Sequence, residues 1–359
     1  MFRRKGRLGV AVAVSALAVA AAGCGSATDD TSNAGSTSGG EAQEGPWKIA
    51  FQQPLGGQPW REMGLATLQN LANQPEYKDK VELEIVRTQN NDPAQQLAAM
   101  RNLVAEGVDM ILFDPASPTG ANPAIAQAKA AGIPVMAAGG PVDSEDAYVV
   151  STDWDEAGAI GAQWLVDNME GDKNVVVLEG FKGVPINENA MPIVRQTLED
   201  GGANIIAQDA NGWDEAQAQK TMAAILRSHD DIDGVYSFLT GGQGVPEAFK
   251  QAGRDFVPVV GGSGYNAEAC TLAEYADQGL TGNMVSGQPA IYAKGLEQAV
   301  KVLEGEEIER EQFFAPLEVT TDDASKVCLP DRPPLFAIGY EFPGLSLPLD
   351  ETLKYYKGS

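Results

Sequence analysis

The chain has 359 residues, 43% of them apolar, and a formal net charge of −25. That length exceeds what one compact domain usually holds, and the apolar content can fill sizeable cores, so two lobes are expected. An acidic excess of this size argues against nucleic acid or an anionic lipid surface as a partner, because both require a basic face.

Arg3, Arg4, Lys5 and Arg7 precede an uncharged run from Leu8 to Ala22, too short and too Ala-rich for a membrane span. Ala21-Ala22-Gly23-Cys24 follows. The segment resembles a bacterial lipoprotein leader, in which small residues precede a Cys that is lipidated and becomes the new N-terminus. Residues 1–23 are therefore read as a signal peptide and Cys24 as the site of a lipid anchor on the outer face of the cell membrane. A plain secretory leader, the other reading of this segment, places the chain on the same side. Loss of the leader removes the four positive charges just named and takes the net charge from −25 to about −29. Residues 24–45, rich in Ser, Thr, Gly, Asp and Asn, read as a flexible tether. With Cys24 lipidated, Cys270 and Cys328 remain as an even pair in an oxidising compartment and are expected to form a disulfide.

In chain order, WKIAFQQ (47–53) reads as a strand, followed by the loop PLGGQPWREMG and a helix through Leu71. VELEIV (81–86) is a strand. DPAQQLAAMRNLVAEG (92–107) is an amphipathic helix, and VDMILFD (108–114) a continuous apolar run suited to a strand buried on both faces. NPAIAQAKAAG and IPVMAA (122–138) repeat the helix–strand step. YVVST (148–152) is another strand, with Asp153 as N-cap of a helix carrying Ala157, Ile160, Trp164 and Leu165 on one face. The pattern then restarts. NVVVL (174–178), NIIAQDA (204–210), GVYSFLT (234–240), VPVVGGSG (257–264) and LTGNMVSG (280–287) are strands separated by helices, with EGFKGVPINENA (179–190) read as a loop and the next helix beginning at Met191. A long helix (288–305) and PLEVTT (316–321) follow, then a Pro-rich apolar tail from Cys328 expected to pack on the outside of one lobe. Strand–helix alternation that occurs twice gives an α/β chain of two doubly wound, parallel-sheet lobes with a cleft between them. Ligands in such sheets sit beyond the carboxyl ends of the strands.

Catalytic constellations are poorly supplied. The one His, His229, sits at a helix end, which disfavours Ser-His-Asp, Cys-His and multi-His metal sites. GGSG (261–264) lacks the final Gly of a nucleophile elbow, TGGQG (240–244) lacks the Lys of a P-loop, and DANGW (209–213) fails the calcium-loop pattern. No enzyme activity and no cofactor are expected.

QNNDPAQQLAAMRNLVAEGVDMILFDPAS, KAAGIPVMAAG, VYSF, PEAFKQAG, PVVGGSGYNAE and LEQAVKVLEGEEI occur in an order that resembles the solute-binding proteins of ABC importers, in the branch that includes ribose-binding protein. The resemblance covers Lys48 to Thr321. It implies a type I periplasmic binding fold whose lobes are joined by three crossover segments, here expected near Thr152-Asp153, Gly287-Gln288 and Thr321. Residues 46–152 with 289–321 would then form one lobe, 153–288 with 322–345 the other, and 346–359 a tail. It also implies a monomer that closes by a hinge on one small ligand and delivers it to a permease with its ATPase.

Sugar-binding relatives use stacked aromatic rings and polar side chains on post-strand loops. By position, Gln58, Trp60 and Arg61 fall on the first loop, with Trp60 as the stacking platform and Arg61 in place of a second aromatic. Asn187, Glu188 and Asn189 stand near the place where relatives carry an Arg, which falls here at about Ala190, Trp213 stands where they place an aromatic, and Leu239-Thr240 where they often carry Asn-Asp. Ser263, Tyr265 and Asn266 share the loop where relatives place an Asp, and Gln288 sits at a crossover. Asp114 and Asp153 are strand-end carboxylates that cap helices or brace the hinge. The strand end that carries Asp-Arg in sugar binders is here Gly139-Gly140, leaving a bulkier ligand or backbone N–H contacts on that side. A neutral sugar, polyol or cyclitol fits this set. A nucleoside-like or cationic ligand, and presentation to a membrane receptor kinase instead of a permease, are the alternatives.

Overall fold

The computed structural model describes residues 45–358. The leader, Cys24 and nearly all of the tether lie outside the described residues.

In the first half, β1 (Trp47–Gln53), α1 (Pro59–Ala72), β2 (Val81–Arg87), α2 (Pro93–Glu106), β3 (Met110–Phe113), α3 (Asn122–Ala130), β4 (Val135–Gly139) and β5 (Tyr148–Thr152) alternate as the sequence implies. Then come α4 (Trp154–Asn168), β6 (Asn174–Glu179), α5 (Pro185–Asp200), β7 (Asn204–Ala210), α6 (Glu215–Ile225), β8 (Gly234–Ser237), α7 (Gly244–Ala252), β9 (Val259–Gly261), α8 (Asn266–Tyr275) and β10 (Gly282–Ser286). The chain ends with α9 (Ile291–Leu303), β11 (Glu311–Phe314), β12 (Leu317–Thr320), α10 (Thr321–Val327) and α11 (Leu349–Thr352).

The strands form two six-stranded sheets, ordered β11-β5-β4-β3-β1-β2 and β12-β10-β9-β8-β6-β7. Every pair in the first sheet is parallel, and β12 alone runs antiparallel, against β10, in the second. Each sheet is buried on both faces. Ile49, Phe51, Leu112 and Met136 face one apolar cluster of the first sheet, and Ala50, Ile111, Phe113 and Ala137 face the other. The second sheet repeats this with Val176, Leu178 and Val235 on one side and Val175, Val177 and Tyr236 on the other. Each fully buried Val, Leu, Ile, Phe or Met side chain contributes ~1.5–3 kcal/mol, so the period-two assignment of neighbours to opposite cores fixes strand register.

The motif DPAQQ shows how local chemistry sets the geometry of the site. Asp92 accepts the N–H of Ala94 at 2.8 Å as N-cap of α2, and Pro93 occupies the first turn, where its missing donor costs nothing. The same turn directs buried Gln96 inward. Its amide donates to Gln52 Oε1 (2.5 Å) and to the Asp114 carbonyl (2.7 Å), and its oxygen accepts from the Ala116 N–H (2.9 Å). One side chain thus holds the ends of β1 and β3 at the point where strand order reverses, which is where ligands bind in open α/β sheets.

Three expectations change. Helix α5 starts at Pro185, so Asn187, Glu188 and Asn189 lie in its first turns and not in a loop. EQFF (311–314) is an edge strand of the first sheet, parallel to β5, while β12 pairs with β10 in the second. The third crossing therefore falls between Phe314 and Leu317, earlier than Thr321, and residues 317–320 belong with the second sheet. The tail also does more than cover one lobe. Phe336, Ala337 and Ile338 join the core of the second lobe, whereas Phe342 and Leu347 join that of the first. Cys270 on α8 and Cys328 are bonded, with Cα atoms 4.8 Å apart, and fasten the start of this strap.

Candidate functional site

Post-strand loops of both sheets converge on a cavity of about 90 Å³, room for one small solute. From the first lobe come Gln58 at the N-cap of α1 with Trp60 and Arg61 in its first turn, and not in a loop as expected, then Asp114 after β3, and Gly139 and Gly140 at the end of β4. From the second come Val184 and Ile186, Trp213, Leu239 and Thr240, Ser263 and Tyr265. Trp154, Ser286 and Gly287 enter from the first two crossovers.

Arg61 is held on two sides. Its Nε donates to Asp114 Oδ2 at 2.7 Å and its Nη1 to Gln58 Oε1 at 2.8 Å. Tyr292 on α9 donates its hydroxyl to the same Asp114 oxygen at 2.8 Å. Burial, reinforced by the Asp114 charge, pushes the Tyr292 phenol well above its ordinary value, so it keeps its proton and remains a donor. Asp114 is the one carboxylate lining the cavity among the described residues, and its charge is matched by the one guanidinium. Gly139 is where this network demands a missing side chain. Its φ is +113°, and a Cβ there would lie 3.1 Å from the Tyr292 ring and 3.2 Å from Asp114 Oδ1. The strand end that looked empty in sequence is filled by an Arg–Asp pair drawn from other elements.

Three indoles surround the rest of the space. Trp60 donates its Nε1–H to the Gly287 carbonyl at 3.1 Å, meets Tyr292 edge-on at a centroid distance of 5.8 Å, and packs against the cores of both lobes. Trp213 sits at φ +50°, in a turn fixed by buried Asn211. The Asn211 oxygen accepts the Trp213 N–H at 2.9 Å, and its amide donates to the Phe238 carbonyl at 3.0 Å. Phe181 meets the Trp213 ring edge-on at 5.1 Å. Trp154 follows the N-cap Asp153 and packs on Phe238 at 6.4 Å. The indole N–H groups of Trp154 and Trp213 are buried without a partner among the described residues. Such a donor costs about 1–3 kcal/mol when left dry. The Trp213 Nε1 edge lies against Gly180, where a Cβ would come within 2.2 Å of it.

A sequence model of the periplasmic binding protein domain matches residues 49–307. The chain belongs to this family. It resembles the xylitol-binding protein of Mycolicibacterium smegmatis at 28% identity over 69% of this chain and 71% of that one. It resembles the ribose import binding protein of Bacillus subtilis at 24% over 66% and 76%. The crystal structure of an ABC transporter solute-binding protein from Thermobispora bispora shares the fold at a TM-score of 0.70 and 23% identity, covering 81% of this chain and 90% of that one. Within the family this is a type I periplasmic binding protein of the ribose branch, a solute binder and not an enzyme.

Of the residues expected in the site of this binding protein, Gln58, Trp60, Arg61, Gly139, Trp213, Thr240, Ser263 and Tyr265 line one cavity. Asn187 does not. It is buried, and its Oδ1 accepts the Gly180 N–H at 2.9 Å, closing the loop after β6. Glu188 accepts the Gly183 N–H at 2.7 Å on the exposed side of that loop. Asn189 faces a separate hollow beside Asp153 and Phe313. Gln288 turns toward the tail, in a hollow with Leu317, Tyr340 and Phe342. Asn266 is spent on the tail, donating to the Leu329 carbonyl at 2.8 Å. Trp154, Val184, Ile186, Ser286 and Gly287 line the cavity without having been singled out from sequence.

Proposed function

We propose that this protein is an extracytoplasmic receptor that captures one small, neutral, polyhydroxylated molecule (a sugar, polyol or cyclitol) by closing its two lobes and delivers it to an ABC permease with its ATPase. The observation that carries the reading is the Arg61–Asp114 pair. It leaves the cavity without net charge while keeping the remaining guanidinium N–H groups as hydroxyl-directed donors. The three indoles that line the cavity suit the C–H faces of such a molecule. A cationic ligand finds no free carboxylate among the described lining residues, because Glu188 lies outside the cavity. The names of the xylitol- and ribose-binding relatives agree with the neutral class. The family is extracytoplasmic; the leader reading adds a tether through a lipid on Cys24, and the family resemblance adds a monomer.

A thermal-shift and calorimetric comparison tests this with xylitol, D-ribose and myo-inositol against ribose 5-phosphate, choline and uridine. Binding to the folded state raises the melting temperature by mass action. One of the first three should bind in the micromolar range or tighter. Stabilisation by the phosphate, the amine or the nucleoside alone would overturn the reading.

A further inference from the structure

Two acidic side chains stand directly behind the cavity wall of the second lobe. Glu215, in the first turn of α6, accepts from Thr240 Oγ1 at 3.0 Å, from the Gly241 N–H at 2.9 Å and from the Gly244 N–H at 2.7 Å. Glu268, in the first turn of α8 and 1% exposed, accepts through Oε2 from the Ser263 N–H at 2.7 Å and from Ser263 Oγ at 2.5 Å. The two residues whose hydroxyls they hold, Thr240 and Ser263, line the cavity. The glycine-rich turns TGGQG and GGSG have their explanation here. A Cβ at Gly242 would lie 2.0 Å from Glu268 Oε1, and one at Gly261 would lie 2.1 Å from it. These turns make room for a buried carboxyl group and not for a phosphate or a nucleophile.

A hydroxyl has one proton and two lone pairs. Where a carboxyl oxygen takes the proton, only lone pairs remain for the cavity. Ser263 Oγ also accepts the Tyr265 N–H at 3.2 Å, which leaves it one further acceptor position. Burial, and next the charge of Glu215, raise the Glu268 carboxyl to about 8. Its Oε1 has no partner among the described residues and is free to carry that proton, so Oε2 stays an acceptor in either state.

We propose that Glu215 and Glu268 are positioning residues of the ligand site, each holding the proton of one cavity hydroxyl so that Thr240 and Ser263 present only lone pairs and select a ligand that brings hydroxyl donors. This rests on the neutral polyol reading and sharpens it. The second lobe would discriminate against ether, carbonyl or fluorine substituents at these points, where lone pair would face lone pair.

The test starts from calorimetry of the wild-type protein with xylitol, D-ribose and myo-inositol, then takes the tightest binder with its single-position deoxy and deoxyfluoro derivatives. Fluorine cannot donate. At one or more positions both derivatives should bind about tenfold more weakly or worse, and Ser263→Ala or Thr240→Val should abolish that loss at the same position. Glu268→Ala should weaken binding about tenfold with Ser263 present and add little in the Ser263→Ala background, and Glu268→Gln, whose amide oxygen still accepts, should recover part of the loss. Purely structural support would instead give losses that add. Deoxyfluoro derivatives that bind like the parent wherever deoxy derivatives fail would overturn the inference. If Glu268→Ala does not fold, the ligand series on the wild-type, Ser263→Ala and Thr240→Val proteins decides alone. If none of the three compounds binds the wild type, the polyol reading fails and takes this inference with it. Binding with no donor requirement overturns this inference alone.

Discussion

Arg61 Nε lies 2.7 Å from Asp114 Oδ2, and neither side chain is more than 13% exposed. The pair joins the first turn of α1 to the loop after β3 at the reversal point of the first sheet, so one interaction sets both the shape and the charge of that cavity wall. Breaking a buried pair by removing one partner leaves the other charge uncompensated, typically at about 3–5 kcal/mol.

We therefore predict that Asp114→Asn lowers the melting temperature and weakens binding of a neutral polyol about tenfold or more. The freed guanidinium should at the same time improve binding of an anionic analogue. Calorimetry with D-ribose and ribose 5-phosphate checks both directions. Unchanged discrimination between the two would show that the pair does not set ligand charge.

The indoles divide into two kinds. Trp60 packs on both cores and donates to Gly287, so Trp60→Ala should cost about 2–4 kcal/mol of stability as well as binding. Trp213 sits at the wall at φ +50° with an unpartnered N–H. Trp213→Phe should leave the denaturation midpoint nearly unchanged and weaken polyol binding by roughly fivefold, because a smaller aromatic face is left at the cavity wall. Urea melts and titrations of the two variants separate these outcomes. A stability loss in Trp213→Phe equal to that of Trp60→Ala would make both of them core residues.

How far the sequence reached depends on the range of the signal. Alternating strand and helix over residues 81–140 is local, and it identified both the sheets and the loops that meet at the cavity. Asn187 to Asn189 were misplaced because two prolines compete to start α5. A helix beginning beside Pro192 avoids an interior proline, yet the structure starts at Pro185 and tolerates Pro192 inside. Asp114 was legible as a strand-end carboxylate, but its partner Arg61 is brought to it only by the parallel pairing of β1 with β3. Trp154 was not singled out, although its place directly after the Asp153 cap at a crossover is a signal that could have found it. The strand EQFF is too short, and too near the charged run before it, to stand out.

The buried carboxyl of Glu268 gives a pH signature. Desolvation, and then the charge of Glu215, raise it from an ordinary 4.5 to about 8. Between those values the folded state holds a proton that the unfolded state has released, so stability falls as pH rises through this window, and the cost is fully present above it. Glu268→Gln carries no such group. The stability of wild type relative to this variant should therefore be highest near pH 5 and decline steadily toward pH 9. Chemical denaturation across that range measures the difference, and a flat or rising difference would mean that Glu268 is ionised in the native protein at neutral pH.

The tail contacts both lobes, and one of its bonds reaches Gly264, between the cavity-lining Ser263 and Tyr265. Asn70 on α1 donates to Thr352 Oγ1 at 2.8 Å in a buried pair, Phe342 meets Phe314 edge-on at 5.2 Å, and the Ile338 N–H donates to the Gly264 carbonyl at 2.8 Å. The Cys270–Cys328 bond closes a loop of sequence separation 58 and anchors this strap to α8. Cross-links of that span contribute about 4 kcal/mol, chiefly by restricting the unfolded chain. Replacing both cysteines with serine should lower stability by about 2–5 kcal/mol while leaving the cavity walls in place. Truncation after Gly344 removes Leu347 and Thr352 instead, and with them the hold on α1. That variant should keep the disulfide yet let the lobes separate more readily, which small-angle scattering would report as a larger radius of gyration without ligand and calorimetry as a weaker apparent affinity, since part of the binding energy then goes into closing the lobes. Identical scattering and affinity in the truncated and full chains would confine the tail to a covering role.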